Sequence, residues 1–366
     1  MSYIELQVLV EDERRVRVMV SPGGAEASGE FRLTPLFRDL IDVFDSWVRE
    51  KKITHRDEMK ALGALLYTAL FDGDTEQLFR RTLEGIQKPD RLRLQLVFNQ
   101  AALNLASIPW EFLYRPDRET SLGFFLATHP RLVLSRYIPL EWNRESLSID
   151  DELRFMAVIS KPKVEPGELG PVLEYPVVEV IEELCQNHGF DLFKLENPTT
   201  EQFFENLEKV DPHILHFIGH GRYNPDQKRG EIALVKADRE SAEWVTDTTF
   251  AEYFDNVKPR LVLLHACEGA QIDFSNKFAG LAPQLIHRRI PAVVAMQYEV
   301  TNETAIRFSK IFYKLLAQGE PVDGAVQEGR RQITILDPNA YNNRDFGTPV
   351  LYMRSRDGLI MPALKN

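Results

Sequence analysis

The chain has 366 residues, of which 44% are hydrophobic and 27% are charged, a balance that is typical of globular proteins. Its formal net charge of -11 gives no global positive field, so we expect no nucleic-acid partner. No stretch approaches the roughly 20 apolar residues of a membrane span, and the N-terminus lacks the basic and apolar regions of a secretory signal. We therefore predict a cytoplasmic protein that does not associate with a membrane.

The first part of the chain mixes strand and helix patterns. Residues 3–20 alternate apolar and polar positions on either side of a charged turn, which predicts a hairpin. Thr34 is the predicted N-cap of a helix and Pro35 its first residue. Its apolar residues recur at helical spacing, so we predict that they pack into a core: Leu36, Leu40, Val43, Phe44, Trp47 and Val48. Helices over 56–71 and 75–86 follow, then a half-buried strand at 91–96 and strands near 124–128 and 131–137.

Residues 138–151 show little periodicity and are the predicted linker. We place a smaller α/β accessory domain over residues 1–150 and a second domain over 151–366. In the second domain, apolar strands alternate with amphipathic helices, which predicts a doubly wound, mainly parallel sheet with helices on both faces. The predicted strands are 153–159, 190–195, 214–218, 261–264 and 292–296, and the helices are 175–188, 200–209, 247–256, 273–288 and residues from 302 to 336.

Two chemically reactive side chains follow neighbouring strands of this predicted sheet. His220 lies between two glycines after the strand 214–218, and Cys267 follows the strand 261–264. Functional groups gather at the carboxyl ends of parallel strands. A thiol attacks as its thiolate, and a free pKa of about 8.5 means that it needs a nearby imidazole or helix N-terminus. The pattern predicts a cysteine-histidine hydrolase. Cys185, by contrast, lies on an apolar helix face and is interpreted as packing.

A metal site is an alternative interpretation of the same residues. His213, His216, His220 and Cys267 include enough nitrogen and sulfur ligands for zinc. Strand alternation, however, places His213 on the face opposite His216 and His220, so we predict no metal. A nucleotide site is also not indicated, because neither a Gly-x-Gly-x-x-Gly pattern nor a phosphate-loop lysine pattern follows a strand. No cofactor is predicted.

Several segments resemble one known family. They are His216-Phe217-Ile218-Gly219-His220-Gly221, Leu263-Leu264-His265-Ala266-Cys267-Glu268-Gly269 and Ile290-Pro291-Ala292-Val293-Val294-Ala295-Met296-Gln297, with Ile108-Pro109-Trp110-Glu111-Phe112-Leu113-Tyr114 in the first domain. On these motifs, and over most of its length, the chain resembles the CHAT domain family of bacterial caspase-like cysteine peptidases. The resemblance implies a caspase-like fold. It also implies that Cys267 is the nucleophile and that His220 protonates the leaving amine or orients its departure. The backbone N–H groups of Gly221 and Cys267 would form the oxyanion hole.

The resemblance also indicates where substrate binds. Gln297, Tyr298 and Glu299 follow the last core strand, where caspase-like peptidases pair with the substrate backbone. Glu299 is either a binding residue or a solvated side chain. His265 and Glu268 flank Cys267 and are predicted pocket residues, although Glu268 is equally well explained by the N-terminus of the next helix. His265 stands where the family usually has Asn and where a caspase signature has Gln. In related peptidases an acidic residue at this place binds a basic residue of the substrate, a role that a histidine cannot play, so this position gives no basis for predicting specificity for Lys or Arg.

The family further implies a biological setting. Its members often act inside bacteria in defence or programmed cell death, where the peptidase cleaves a toxin precursor such as a bacterial gasdermin. We therefore expect a protein substrate, and an activating signal that comes from another protein or from the first domain. The alternative is a regulatory adaptor with a caspase-like fold and an idle cysteine. The presence of both His220 and Cys267 favours the peptidase.

Overall fold

The computed structural model describes residues 2–53, 55–117, 123–140, 153–163, 175–224, 226–227, 229–238, 240–266, 280–298, 300–336 and 344–361. These residues fall into two compact units. The first is drawn from Met1–Pro139 and Val326–Gly347, and the second from Leu140–Ala325 and Thr348–Asn366. The first unit thus takes a segment from the C-terminal part of the chain, which local patterning does not reveal. The domain boundary near residue 150 stays a prediction.

The first unit contains a sheet in which the hairpin predicted at the N-terminus is confirmed. The strands of this unit are β1 (Tyr3–Val10), β2 (Arg15–Ser21), β3 (Glu26–Glu30), β4 (Arg91–Phe98), β5 (Tyr114–Arg115), β6 (Phe124–Phe125) and β7 (Leu132–Tyr137). The sheet has the order β3-β2-β1-β4-β7, and β4 is parallel to both of its neighbours. The short strands β5 and β6 form a separate antiparallel pair.

Strand β4 is buried on both faces, so the prediction of a half-buried strand is wrong. All of its residues except the first and the last are buried. The buried residues include the polar side chains of Arg93 and Gln95. The polar side chains find partners on β1: the Gln95 Oε1 atom accepts a hydrogen bond of 2.9 Å from Gln7 Nε2, and the Arg93 guanidinium lies 4.2 Å from the Tyr3 ring centroid. Alternating polarity therefore marks paired polar groups here and not a solvent-exposed face.

The first helix begins as predicted but buries a different face. The helix α1 is Pro35–Arg49, and Thr34 Oγ1 accepts a 3.3 Å hydrogen bond from the Phe37 N–H. Its buried residues are Ile41, Asp45 and Val48. The prediction that the whole apolar stripe packs into a core is wrong, because four of its members are exposed: Leu36, Leu40, Val43 and Trp47. The next two helices, α2 (Arg56–Leu70) and α3 (Asp74–Gly85), confirm the predicted positions within one residue.

A buried ion pair anchors the Pro-Trp-Glu segment of the first unit. Glu111 is 1% exposed and its Oε2 atom lies 2.5 Å from Arg136 Nη2. Arg330, which is also buried in this unit, has Nη2 4.0 Å from Glu111 Oε1. The indole N–H of the neighbouring Trp110 donates a 2.9 Å hydrogen bond to the Leu105 carbonyl. The segment therefore has a structural role in the first unit.

The second unit contains the sheet that carries the predicted site. Its strands are β8 (Arg154–Ile159), β9 (Asp191–Glu196), β10 (Ile214–Gly219), β11 (Gly221–Asn224), β12 (Arg229–Val235), β13 (Ala242–Thr246), β14 (Leu261–Ala266), β15 (Ala292–Met296) and β16 (Pro349–Met353). The main sheet has the order β16-β15-β14-β10-β8-β9, and every pair in it is parallel except β15 with β16. The predicted α/β class with a mainly parallel sheet is confirmed.

Helices alternate with these strands as predicted. They are α4 (Tyr175–His188), α5 (Thr200–Val210), α6 (Asp247–Glu252), α7 (Leu281–His287) and α8 (Asn302–Ala317). A last helix, α9 (Val322–Leu336), begins in this unit and belongs from Val326 onwards to the first. Threonine caps recur: Thr199 accepts from the Gln202 N–H at the start of α5 and Thr301 from the Thr304 N–H at the start of α8, both at 3.2 Å. The helix predicted at 247–256 is shorter in the structure, and residues 273–279 of the next one lie outside the described residues. In the described ranges, no helix is long and apolar enough to cross a membrane.

The small sheet β11-β12-β13 was not predicted from the sequence. It is antiparallel throughout and occupies the chain between β10 and α6. Its strands contain four to seven residues and include charged side chains such as Arg222 and Glu231, which conceal their alternation. The sheet matters for the site because β11 starts directly after His220.

Candidate active site

The strands β10 and β14 lie side by side and run in the same direction. Their register pairs Ile218 with His265 and Gly219 with Ala266. His220 follows Gly219 along the chain, as Cys267 follows Ala266. Cys267, Glu268 and Glu299 lie outside the described residues, so the structure defines the site up to Ala266 on one strand and through His220 on the other.

His220 is held at a tightly packed strand end. The residue is only 5% exposed. Its backbone carbonyl accepts a 3.0 Å hydrogen bond from the Ala233 N–H of β12. The Ala233 carbonyl in turn accepts a 2.7 Å hydrogen bond from Ser160 Oγ at the end of β8. A Cβ atom on Gly219 would lie 2.9 Å from the Phe217 ring and 3.0 Å from the Ser160 carbonyl oxygen. Only glycine fits there without moving the backbone that presents His220.

The backbone N–H of Gly221 is directed towards the open edge of the small sheet. Gly221 pairs with Ile232 of β12, and the hydrogen bond from Ala233 to His220 extends that pairing by one residue. In an antiparallel ladder, residues alternate between those that hydrogen-bond to the partner strand and those that point away from it. Because His220 bonds to β12, Gly221 points away from it. The order β11-β12-β13 leaves β11 at the edge of this sheet.

A pair of buried histidines lies on the adjacent strands β10 and β14. The rings of His216 and His265 are stacked, with centroids 5.8 Å apart, and the Tyr313 hydroxyl lies 2.8 Å from His216 Nδ1. Burial lowers the pKa of His265 to about 4. Burial, and to a lesser extent the neighbouring His265, lowers the pKa of His216 well below its ordinary value. Both rings are therefore neutral at pH 7.

One nitrogen of each ring in this pair is unsatisfied. His216 Nε2 and His265 Nδ1 are buried and have no hydrogen-bond partner among the described residues. His265 is 3% exposed, and its ring packs within the second unit. Its predicted assignment to the substrate pocket stays a prediction.

Gln297 and Tyr298 lie at the same end of the sheet as His220. Strand β15 pairs with β14 in a register that places Ala295 beside Leu264, so Gln297 lies near the level of Ala266. The Gln297 N–H donates a 3.0 Å hydrogen bond to the Thr348 carbonyl, and Tyr298 is buried. The structure therefore brings His220, His265, Gln297 and Tyr298 to one edge of the second unit's sheet.

The small sheet adds a charged cluster that sequence analysis missed. Arg222 Nε donates a 2.5 Å hydrogen bond to Glu231 Oε2, and Asn224 Nδ2 donates a 3.0 Å hydrogen bond to Glu231 Oε1. The Arg222 guanidinium carbon lies 4.0 Å from the ring centroid of Trp244. The sequence carries no polar–apolar alternation that marks this strand, and residues 220, 222 and 224 fall on one face only once β11 is known to be extended.

The histidines considered for a metal site have other roles in the structure. His213 Nδ1 accepts a 3.1 Å hydrogen bond from the Arg154 N–H, and His216 Nδ1 bonds to Tyr313. Across the described ranges, no group of three or more His, Cys, Asp or Glu side chains is arranged to hold a metal ion.

A family model describes most of this chain. The model of the CHAT domain matches residues 60–346. The chain belongs to the CHAT domain family. The match includes both β10 and β14, and it begins before β4, within the region that we assign to the accessory domain. A comparison with curated proteins gives no match.

Three solved structures are similar to this chain at low sequence identity. The Arg-specific cysteine proteinase gingipain R has 11% identity and a TM-score of 0.46, over 89% of this chain and 76% of its own. Separase in the Saccharomyces cerevisiae separase-securin complex has 15% identity and a TM-score of 0.41, over 88% of this chain and 22% of its own. Caspase-1 from Spodoptera frugiperda has 13% identity and a TM-score of 0.40, over 63% of this chain and 98% of its own.

Proposed function

We propose that this CHAT protein is a cysteine endopeptidase in which Cys267 is the nucleophile and His220 the general acid and base. The observation that carries the proposal is the register of β10 and β14. Gly219 lies opposite Ala266, so the next residue along each strand is one member of the proposed pair. Parallel strands present such residues at the same edge of a sheet, where ligands bind in α/β proteins.

In the proposed mechanism the Cys267 thiolate attacks the carbonyl carbon of the scissile peptide bond. The electron pair of the carbonyl moves to its oxygen, and the N–H groups of Gly221 and Cys267 stabilise the oxyanion. His220 then gives a proton to the leaving amine as the C–N bond breaks and an acyl-enzyme forms. Water, deprotonated by the same imidazole, attacks the thioester, and the thiolate leaves. The outward direction of the Gly221 N–H supports its role in the oxyanion hole.

We propose that the substrate is a protein, bound in an extended form beside Gln297, Tyr298 and Glu299, with His265 and Glu268 near the nucleophile. Family resemblance supports a toxin precursor such as a bacterial gasdermin as this substrate, and cleavage in a bacterial defence or cell-death pathway inside the cytoplasm. We also propose that a separate protein activates the peptidase. The placement of Gln297 near the level of Ala266 supports a substrate strand on this side of the nucleophile.

The chemistry can be tested with the two thiols of the chain. Only Cys185 and Cys267 are present, and burial raises the pKa of Cys185 to about 12. Brief treatment with iodoacetamide at pH 7.5 is expected to add one label to the wild type, none to Cys267→Ala, and one to Cys185→Ala, read by intact mass. His220→Ala is expected to slow the labelling of Cys267, because the thiolate loses its nearby imidazole.

Peptidase activity can be tested on a proteome-derived peptide library and on purified candidate precursors, with cleavage products identified by mass spectrometry. Cleavage by the wild type and by Cys185→Ala, with none by Cys267→Ala, is the expected result. Equal cleavage by the wild type and Cys267→Ala contradicts the mechanism. If neither the wild type nor any variant cleaves a substrate, and iodoacetamide labels the two thiols equally, the result favours the alternative of a regulatory adaptor with an idle cysteine.

A further inference from the structure

The small sheet presents an arginine to the same side as His220. His220 lies opposite Ala233, and the next strand over places Trp244 opposite Ala233. Arg222 lies opposite Glu231, two residues along from His220. Side chains two residues apart on a strand point to the same face and are separated by about 7 Å. Arg222 therefore lies next to the imidazole that we assign to catalysis.

Two contacts hold the Arg222 side chain in place. Its guanidinium stacks on Trp244, with 4.0 Å between the guanidinium carbon and the ring centroid, and its Nε atom donates to Glu231. Stacking fixes the plane of the group, and the Nε hydrogen bond fixes its rotation. A side chain that is already ordered loses little conformational entropy when it binds a ligand.

The same contacts leave the outer edge of the guanidinium for a ligand. Within the described part of the chain, the Nη1 and Nη2 atoms of Arg222 have no hydrogen-bond partner, and the side chain is 33% exposed. The two Nη atoms form a fork that matches the two oxygens of a carboxylate. Glu231 does not itself bind a basic group of the substrate, because it is only 4% exposed. Its two carboxylate oxygens already accept hydrogen bonds from Arg222 and Asn224.

We propose that Arg222 is a specificity residue that binds a carboxylate of the substrate, so that the enzyme prefers an Asp or Glu side chain within two residues of the scissile bond. This inference rests on the proposed peptidase function. Because Glu231 balances the charge of Arg222, the guanidinium binds the carboxylate chiefly through two hydrogen bonds from Nη1 and Nη2. Trp244 and Glu231 are positioning residues, because they act through Arg222.

The test uses hexapeptides with Asp at one fixed position and random residues elsewhere, each paired with a set that has Asn at that position. Asn has nearly the same shape and no charge. Binding to the Cys267→Ala protein is measured by fluorescence anisotropy, and cleavage by the wild type is measured by mass spectrometry. At one position we expect a preference for Asp over Asn of roughly 10- to 100-fold, the range for hydrogen bonds to a charged group.

Substitutions separate recognition from folding. Arg222→Gln is expected to abolish the Asp preference, and Arg222→Lys, which keeps the charge without the fork, to retain part of it. Arg229→Gln is the matched control, since Arg229 is an exposed arginine of the same sheet that lies opposite Asn224. It removes the same charge and should leave the preference intact.

The two proposals fail in different ways. If the wild type does not cleave but Cys267→Ala binds Asp peptides through Arg222, the peptidase proposal fails and the carboxylate site stands. If Asp and Asn peptides bind equally well, the carboxylate site is refuted whether or not the wild type cleaves. An Asp preference that survives in Arg222→Gln also refutes it, because another group must then bind the carboxylate.

Discussion

The buried histidine pair predicts a loss of stability in mild acid. His265 is 3% exposed, and burial lowers its pKa to about 4. In the unfolded chain a histidine has a pKa of about 6.5, so between these two values the unfolded state binds more protons than the folded state. The free energy of unfolding therefore rises with pH across this window. The contribution of His265 is fully present above pH 6.5 and is lost as the pH falls towards 4.

The size of this effect follows from the two pKa values. Proton linkage gives up to about 1.36 kcal/mol for each pH unit, which amounts to about 2 kcal/mol for His265 between pH 7.5 and pH 5. His216, whose pKa is also lowered by burial, adds a second contribution of the same sign. Carboxylates titrate in this range as well, so the prediction concerns the difference between the wild type and a variant.

His265→Asn is the informative variant, because Asn is the residue usual in the family at this position and does not titrate. Urea unfolding followed by circular dichroism at pH 7.5 and pH 5 gives the loss of stability for each protein. The variant is expected to lose about 2 kcal/mol less than the wild type over this interval. His287→Asn, which replaces an exposed imidazole of α7, is the control. Equal losses in the wild type and His265→Asn would show that the reasoning from burial is wrong.

Two further substitutions probe buried polar contacts. Tyr313→Phe removes the 2.8 Å contact with His216 Nδ1 and should lower the free energy of unfolding by about 1–3 kcal/mol, whereas Tyr253→Phe at a partly exposed ring should change it by less than about 0.5 kcal/mol. Glu111→Gln leaves the buried Arg136 without its counter-charge and should cost about 3–5 kcal/mol, seen as a lower melting temperature; a change below 1 kcal/mol would contradict a buried ion pair.

Local patterns predicted most of the elements that carry the proposed site. The apolar runs before His220 and Cys267 are the strands β10 and β14, and the prediction that they belong to one mainly parallel sheet is confirmed. The interval Ala292–Met296 is β15 with the predicted bounds. These strands are buried on both faces, so their composition alone identifies them.

What the sequence did not predict depends on contacts between distant residues. Val326–Gly347 belongs to the first unit, although nothing in its local pattern distinguishes it from the helices before it. In α1, periodicity identified the helix but not the face that packs, since Ile41 and Val48 are buried while Leu36 is 65% exposed. The role of Arg222 depends on Glu231 and Trp244, which become its neighbours only when β11, β12 and β13 pair.

The insertion of the small sheet between β10 and β14 has an evolutionary consequence. The register of Gly219 with Ala266 is set by the main sheet, whereas β11, β12 and β13 form a sheet of their own. Side chains of this sheet can be exchanged while the main-sheet register and the backbone hydrogen bond from Ala233 to His220 are both retained. If Arg222 binds the substrate as proposed, the proteins encoded by duplicated genes can come to recognise different peptides while they keep the same reactive pair.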